Sequence, residues 1–212
     1  MLREAAVAAF LLATVDGVAP KLEATGPLTG AAVPEAVRGT LEAKGVRVVL
    51  REGPWCELWL RKGIPERKRS TPGALQIDLR DSTAVGVIRF LAAATDFRGQ
   101  GIRSGLYTLR YARIPADGNH LGVSEYPDFL LLTPFAEDSD LANTLELEDL
   151  MNRSLMATGT AHPGVLSLTK PSGDTFPAVT TNALGHVVLQ TKAKIGSREA
   201  PIALVVKGEA PQ

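Results

Sequence analysis

Gly105-Leu-Tyr-Thr-Leu-Arg-Tyr-Ala-Arg-Ile114 alternates with a period of two. Tyr107, Leu109 and Tyr111 fall on one face, and Thr108 and Arg110 on the other. That is the pattern of a strand with one face in a core. Asp128-Phe-Leu-Leu-Leu-Thr133 follows after a polar loop and ends at Pro134. The loop gathers Asp117, Asn119, His120, Glu125 and Asp128. Polar side chains on a loop held by rigid strands are the usual carriers of binding.

Working outward, short strand-like runs recur. Gly39 to Lys44 and Val46 to Arg51 read as a hairpin around Gly45, and Trp55 to Arg61 as the next strand after Gly53-Pro54. Leu75, Ile77 and Leu79 alternate with polar residues up to Arg80. Val85 to Ala94 is a continuous apolar run, read as a strand buried on both faces or a short helix. Further strands are expected at Val165 to Thr169, Phe176 to Thr181, His186 to Ala193 and Pro201 to Lys207. One segment has a different period. Leu147, Leu150, Met151 and Leu155 fall at helical spacing. Thr144 offers a cap, acidic residues crowd the first turn, and Gly159 ends the run. The expected fold is mainly β: an antiparallel β-sandwich of eight to ten strands with one short inserted helix. No alternation of strand and helix supports a parallel sheet.

The chain has 212 residues with 23 basic and 23 acidic side chains. That balance gives no field that would gather nucleic acid or an anionic membrane, so neither is an expected partner. The basic run Arg61 to Arg69 holds Gly63 and Pro65 and reads as a loop. Cys56 is the single cysteine, so no internal disulfide forms, and its apolar neighbours point to a buried thiol. Ala5 to Val15 is an apolar run of signal-peptide length behind Arg3, with small residues at Gly17 and Ala19. It is too short to span a bilayer. Residues 1–19 are read as a signal peptide, 20–36 as a linker or irregular lead-in, and 37–212 as one domain. Export places the protein in the periplasm or outside the cell. Glu4, Asp16 and Pro20 argue for the alternative, a cytoplasmic chain opening on a short helix or buried strand.

No Gly-x-Ser-x-Gly elbow, phosphate-binding Gly-x-x-x-x-Gly-Lys, His-Glu-x-x-His or Cys-x-x-Cys is present. The expected site is therefore a binding site on the polar loop, made of Asp117, Asn119, His120, Tyr126 and Asp128. It would serve a small molecule, a glycan or a protein partner, without a cofactor. Tyr126, beside Pro127, is the aromatic best placed to stack on a sugar. Trp55 and Trp59, four apart, are expected on one strand face and in the core. Asp117-Gly-Asn119 is also turn chemistry, and Asp138, Ser139 and Asp140 read as solvated loop residues. The second expectation is a metal site, zinc or copper, built from His120, His162 and His186. Each of these histidines adjoins a turn, and turns gather at the ends of a sandwich.

Arg98-Gly-Gln-Gly-Ile-Arg-Ser-Gly105 resembles the acetyl-CoA pyrophosphate loop of the GNAT acetyltransferases. The strand-like Leu106 to Ile114 follows it where that family has a helix. Four blocks together resemble an uncharacterised family of exported bacterial proteins: Gly105 to Tyr111, Asp117 to His120, Asp128 to Leu132, and Gly159 to Leu168. That resemblance implies export and a mainly β fold, and it implies no activity.

Overall fold

The computed structural model describes residues 19–30, 32–67, 75, 77–114 and 124–208. Ten strands form one antiparallel sheet. In chain order they are β1 (Lys21–Thr25), β2 (Gly45–Leu50), β3 (Gly53–Leu60), β4 (Ala84–Phe90), β7 (Gly105–Arg113), β8 (Asp128–Pro134), β9 (Val165–Thr169), β10 (Ala178–Thr181), β11 (Val187–Ile195) and β12 (Arg198–Lys207). The short β5 (Ala94–Thr95) and β6 (Gly101–Ile102) pair with each other outside it. Spatial order in the large sheet is β1-β2-β3-β4-β7-β8-β9-β12-β11-β10. Two helices, α1 (Glu35–Thr40) and α2 (Leu147–Thr158), complete the described fold.

The sheet curls until its first and last strands, β1 and β10, meet. Continuous antiparallel pairing with a right-handed twist leads to such a barrel-like form. The segment after β3 joins the end of β11, with Ile64 buried in the core. Ile64 donates its N–H to Lys194 O at 2.8 Å and accepts from Gly196 N at 2.9 Å. Trp55 Nε1 donates to Val206 O at 2.9 Å, joining β3 to β12.

Alternation decides what goes inside. Val48, Leu58, Ile88, Leu109, Leu130, Leu166, Leu189 and Leu204 come from eight strands and share one buried cluster. Tyr107 and Tyr111 lie in it with Leu109, as the period-two reading expects. Cys56 is buried there as well, and burial pushes its thiol pKa up, so the thiol is inert in the folded protein. The inside of the barrel is packed with side chains.

The outer face is covered in three places, which is why several strands are apolar on both sides. Leu28, Val33, Val37 and Leu41 pack against Trp59 and Val87 of β3 and β4. Leu150 of α2 packs against Ala112 and Leu131 of β7 and β8. Phe97, in the β5–β6 turn, packs against Val188 and Val205 of β11 and β12. The run from Val85 is therefore a strand buried on both faces.

Four expectations change. Lys21–Thr25, read as lead-in, form β1 and pair with Gly45–Val49. The expected first hairpin arm, Gly39 to Lys44, is no strand: α1 runs into it and ends at Thr40, Leu41 makes only an isolated bridge to Arg61, and Val37 and Leu41, four apart, bury one stripe on Trp59. A helix of six residues is too short for helical periodicity to show. Residues 77–80 form no ladder, although Ile77 and Leu79 are buried in the core as their alternation implied. Trp55 and Trp59 do not share a face. The β2–β3 register shifts between Val48 and Val49, leaving Trp55 as the extra residue opposite them. Such a bulge re-aims the side chain. Trp55 joins the interior cluster and Trp59 the outer one.

Candidate functional site

A cleft among the described residues lies outside the barrel wall, between α2, the β5–β6 turn and the outer faces of β8 and β9. Its volume is about 700 Å³, within the range of small-molecule sites. Alternation supplies its floor: Phe129 and Val165 point outward because Leu130 and Leu166 point inward. Leu147 and Met151 of α2 form one side. Leu150 anchors that helix on Ala112 and Leu131, and Gly159, at φ 68°, ends it in the left-handed conformation that glycine adopts readily. No side chain caps its start; Glu146 takes the N-cap position rather than Thr144. Gly164 brings the returning chain against the helix. A Cβ there would sit 2.9 Å from that of Ala157, and Ser154 Oγ donates to Gly164 O at 2.9 Å.

The β5–β6 turn closes the second side. Asp96 Oδ1 accepts the N–H groups of Arg98 and Gln100, each at 2.9 Å. Burial pushes the Asp96 carboxyl pKa up, and these two backbone bonds pull against that shift. In the loop that resembles a pyrophosphate cradle, these two N–H groups are therefore occupied by the protein's own carboxylate. The segment after it is the strand β7, so the helix on which such a cradle depends is absent. Gln100 Nε2 donates to Pro163 O at 3.1 Å and so ties the turn to the chain around His162.

The third side is the end of β7. Arg113 and Ser124 line the cleft, and Arg113 Nε and Ser124 Oγ are both buried without a hydrogen-bond partner. Next to Arg113 is Asp128, its cross-strand partner, with no exposed surface. The Arg113 Nε to Asp128 Oδ1 distance is 3.9 Å, an ion-pair distance too long for a hydrogen bond. Tyr111 donates its hydroxyl to the same Oδ1, and Asp128 Oδ2 has no hydrogen-bond partner. Buried polar atoms are rarely left in this state, because each costs about 1–3 kcal/mol.

Three residues earlier on β7, Arg110 stands in contrast. It is fully buried and bidentate to Asp138, at 2.5 and 2.7 Å. Its remaining donors reach the carbonyls of Ser82 (2.7 Å), Asn143 (2.8 Å) and Asp140 (2.9 Å). Asp138, read from sequence as solvated, is 5% exposed. The physical reason is that a buried guanidinium on the outer face of β7 requires a counter-charge, and the 135–146 segment folds over it to supply one.

The site residues expected from sequence are distributed as follows. Asp117, Asn119 and His120 lie outside the described residues. Tyr126 is half-buried, with the Lys170 ammonium 5.5 Å from its ring centre. Asp128 is buried behind Arg113 rather than presented on a loop surface. His162 is exposed and lines the cleft. His186 is buried, with its ring edge-to-face on Phe97 at 4.5 Å between centres. Both histidines therefore border the β5–β6 turn, on different sides. Among the described residues, no three His, Cys, Asp or Glu side chains are grouped to hold a metal ion. Sequence reasoning missed Asp96, Arg113, Ser124 and Met151. Arg113 carried a signal in its period-two position on the inward face with Tyr111, where a charge is out of place. Ser124 carried none.

Fold and cleft together define a mainly β protein of barrel-like form whose candidate site is carried on the outside of the barrel wall. Comparison with models of known protein families, with curated proteins and with solved structures finds no match to this chain. No described helix is long and apolar enough to cross a membrane.

Proposed function

We propose that this protein is an exported, non-enzymatic binding module that takes a small organic molecule into the cleft beside α2. The observation that carries the reading is the pairing of an apolar floor with buried, unpartnered polar atoms at one end of a 700 Å³ cleft. Ligand sites combine a mostly apolar lining with a few placed polar groups. Export rests on the Ala5 to Val15 run and on the resemblance given above. Asp117, Asn119 and His120 stay part of the proposed site through their place in the chain between Arg113 and Ser124.

A fragment screen read by 1H–15N NMR tests the binding reading. Hits are expected to shift the amides of Gln100, Phe129 and Val165. Met151→Trp, which fills the cleft from the helix side, is expected to abolish those shifts while leaving the rest of the spectrum in place. A library that leaves these amides unmoved, or hits that survive Met151→Trp, would remove the reading. The metal reading, with zinc or copper held by His120, His162 and His186, has a separate test. Untagged protein carrying about one equivalent of metal, lost in His162→Ala, would favour it.

A further inference from the structure

We infer that the ligand is an uncharged amphiphile: an aliphatic body laid on Phe129, Met151 and Val165, and a hydroxylated head at Arg113 and Ser124. This rests on the binding reading above and adds the chemistry of the ligand.

The body follows from the cleft floor. Phe129 and Val165 are half-buried outward residues of β8 and β9, and Met151 faces them from α2. The flexible Met151 thioether can adapt to an aliphatic chain, and the Phe129 ring offers it a broad apolar face. No charged side chain stands on this floor.

The head follows from the atoms that lack partners. Arg113 Nε has a proton to donate and no acceptor, and Ser124 Oγ both donates and accepts. Among the described residues lining this end, the Arg113 charge is balanced by Asp128, which lies 3.9 Å behind it. A carboxylate head would satisfy Arg113 but bring a second negative charge toward Asp128. An ammonium head would have donors only and would meet the Arg113 cation. A hydroxyl accepts from Arg113 and exchanges a hydrogen bond with Ser124 without adding charge. At the opposite side of the cleft, Asp96 accepts the backbone N–H groups of Arg98 and Gln100, the Arg98 side chain is exposed, and His162 is exposed. Arg98 and Asp96 again pair opposite charges, so the described lining residues favour neither sign of ligand.

Calorimetric titration with three eight-carbon probes, each below its micelle concentration, tests this: octyl glucoside, octanoate and octylammonium. Octyl glucoside is expected to bind at least tenfold tighter than either ion. The series hexyl, heptyl, octyl glucoside is expected to gain about fourfold per methylene, as burial of each CH₂ requires. Arg113→Gln is expected to weaken octyl glucoside tenfold or more with an unchanged circular dichroism spectrum. Met151→Trp is expected to remove binding of all three. Should Arg113→Gln fail to fold, Ser124→Ala serves the same test and is expected to weaken octyl glucoside severalfold. An ion binding as tightly as the glucoside overturns the head assignment and leaves the binding reading intact. No glucoside binding at millimolar concentration, with fragments still shifting cleft amides, overturns the inference alone. Silence from both probes and fragments removes the inference and the binding reading together.

Discussion

Arg110 and Arg113 lie three residues apart on one strand, and the protein treats them in opposite ways. Arg110 points to the outer face and is sealed under the 135–146 segment, with Nε, Nη1 and Nη2 all bonded. Arg113 lies at the strand end, opens on the cleft, and leaves Nε without a hydrogen-bond partner. The difference teaches that a charged residue in a strand reports its role through its unused hydrogen-bonding capacity. A saturated guanidinium holds the fold; an unsaturated one in a cleft is available to a ligand.

The comparison breaks most visibly in stability. Arg110→Gln strands Asp138 as a buried, unpaired carboxylate, which is expected to cost about 3–5 kcal/mol in denaturant unfolding. Asp138→Asn is expected to cost a similar amount, and the double variant less than the sum. Arg113→Gln leaves the buried Asp128 with its Tyr111 hydroxyl but without its cation, and because that ion pair is 3.9 Å apart and not hydrogen-bonded, it is expected to cost clearly less than Arg110→Gln in the same assay. Equal losses at the two positions would contradict the distinction.

A second, intermediate effect tests what holds the cleft wall. Leu150→Ala removes the buried contact of α2 with Ala112 and Leu131. It is expected to cost about 2–4 kcal/mol in thermal or chemical unfolding and to weaken cleft ligands as the helix loosens. Loss of stability with undiminished binding would mean that α2 is no part of the site.

The smallest effect concerns pH. Burial raises the Asp96 carboxyl pKa in the folded state. The folded protein therefore holds this proton to higher pH than the unfolded chain does. Asp96's contribution to stability is greatest below the ordinary carboxylate pKa and declines as pH rises through the raised one. Asp96→Asn keeps an acceptor for Arg98 and Gln100 N–H and is expected to remove that decline. A wild-type and a variant stability profile that run parallel from pH 3 to pH 7 would show that Asp96 does not titrate in this way.

The β fold was legible because burial on one face imposes period two, and β7, β9 and α2 carry that period or the helical one without interruption. What stayed hidden was the second layer outside the barrel. Thr108 and Arg110 look like a wet face until the 135–146 segment is folded over them. Trp55 and Trp59 look coplanar until one bulged residue separates them. Asp128 looks like a loop carboxylate because its burial depends on Tyr111, seventeen residues away, and on the register of β7 with β8. The cleft joins side chains from the β5–β6 turn, β7, β8, α2 and β9, and no local pattern records such a meeting.

The most direct measurement is the arginine Nε–H NMR spectrum, recorded with and without saturating octyl glucoside. Arg110 Nε–H is expected to exchange slowly with water in both states. Arg113 Nε–H, buried but not hydrogen-bonded, is expected to exchange faster than Arg110 Nε–H in the free protein, then to shift and slow once the ligand is bound. An Arg113 signal as protected as that of Arg110 before ligand is added, or one unmoved at saturation, would contradict the account.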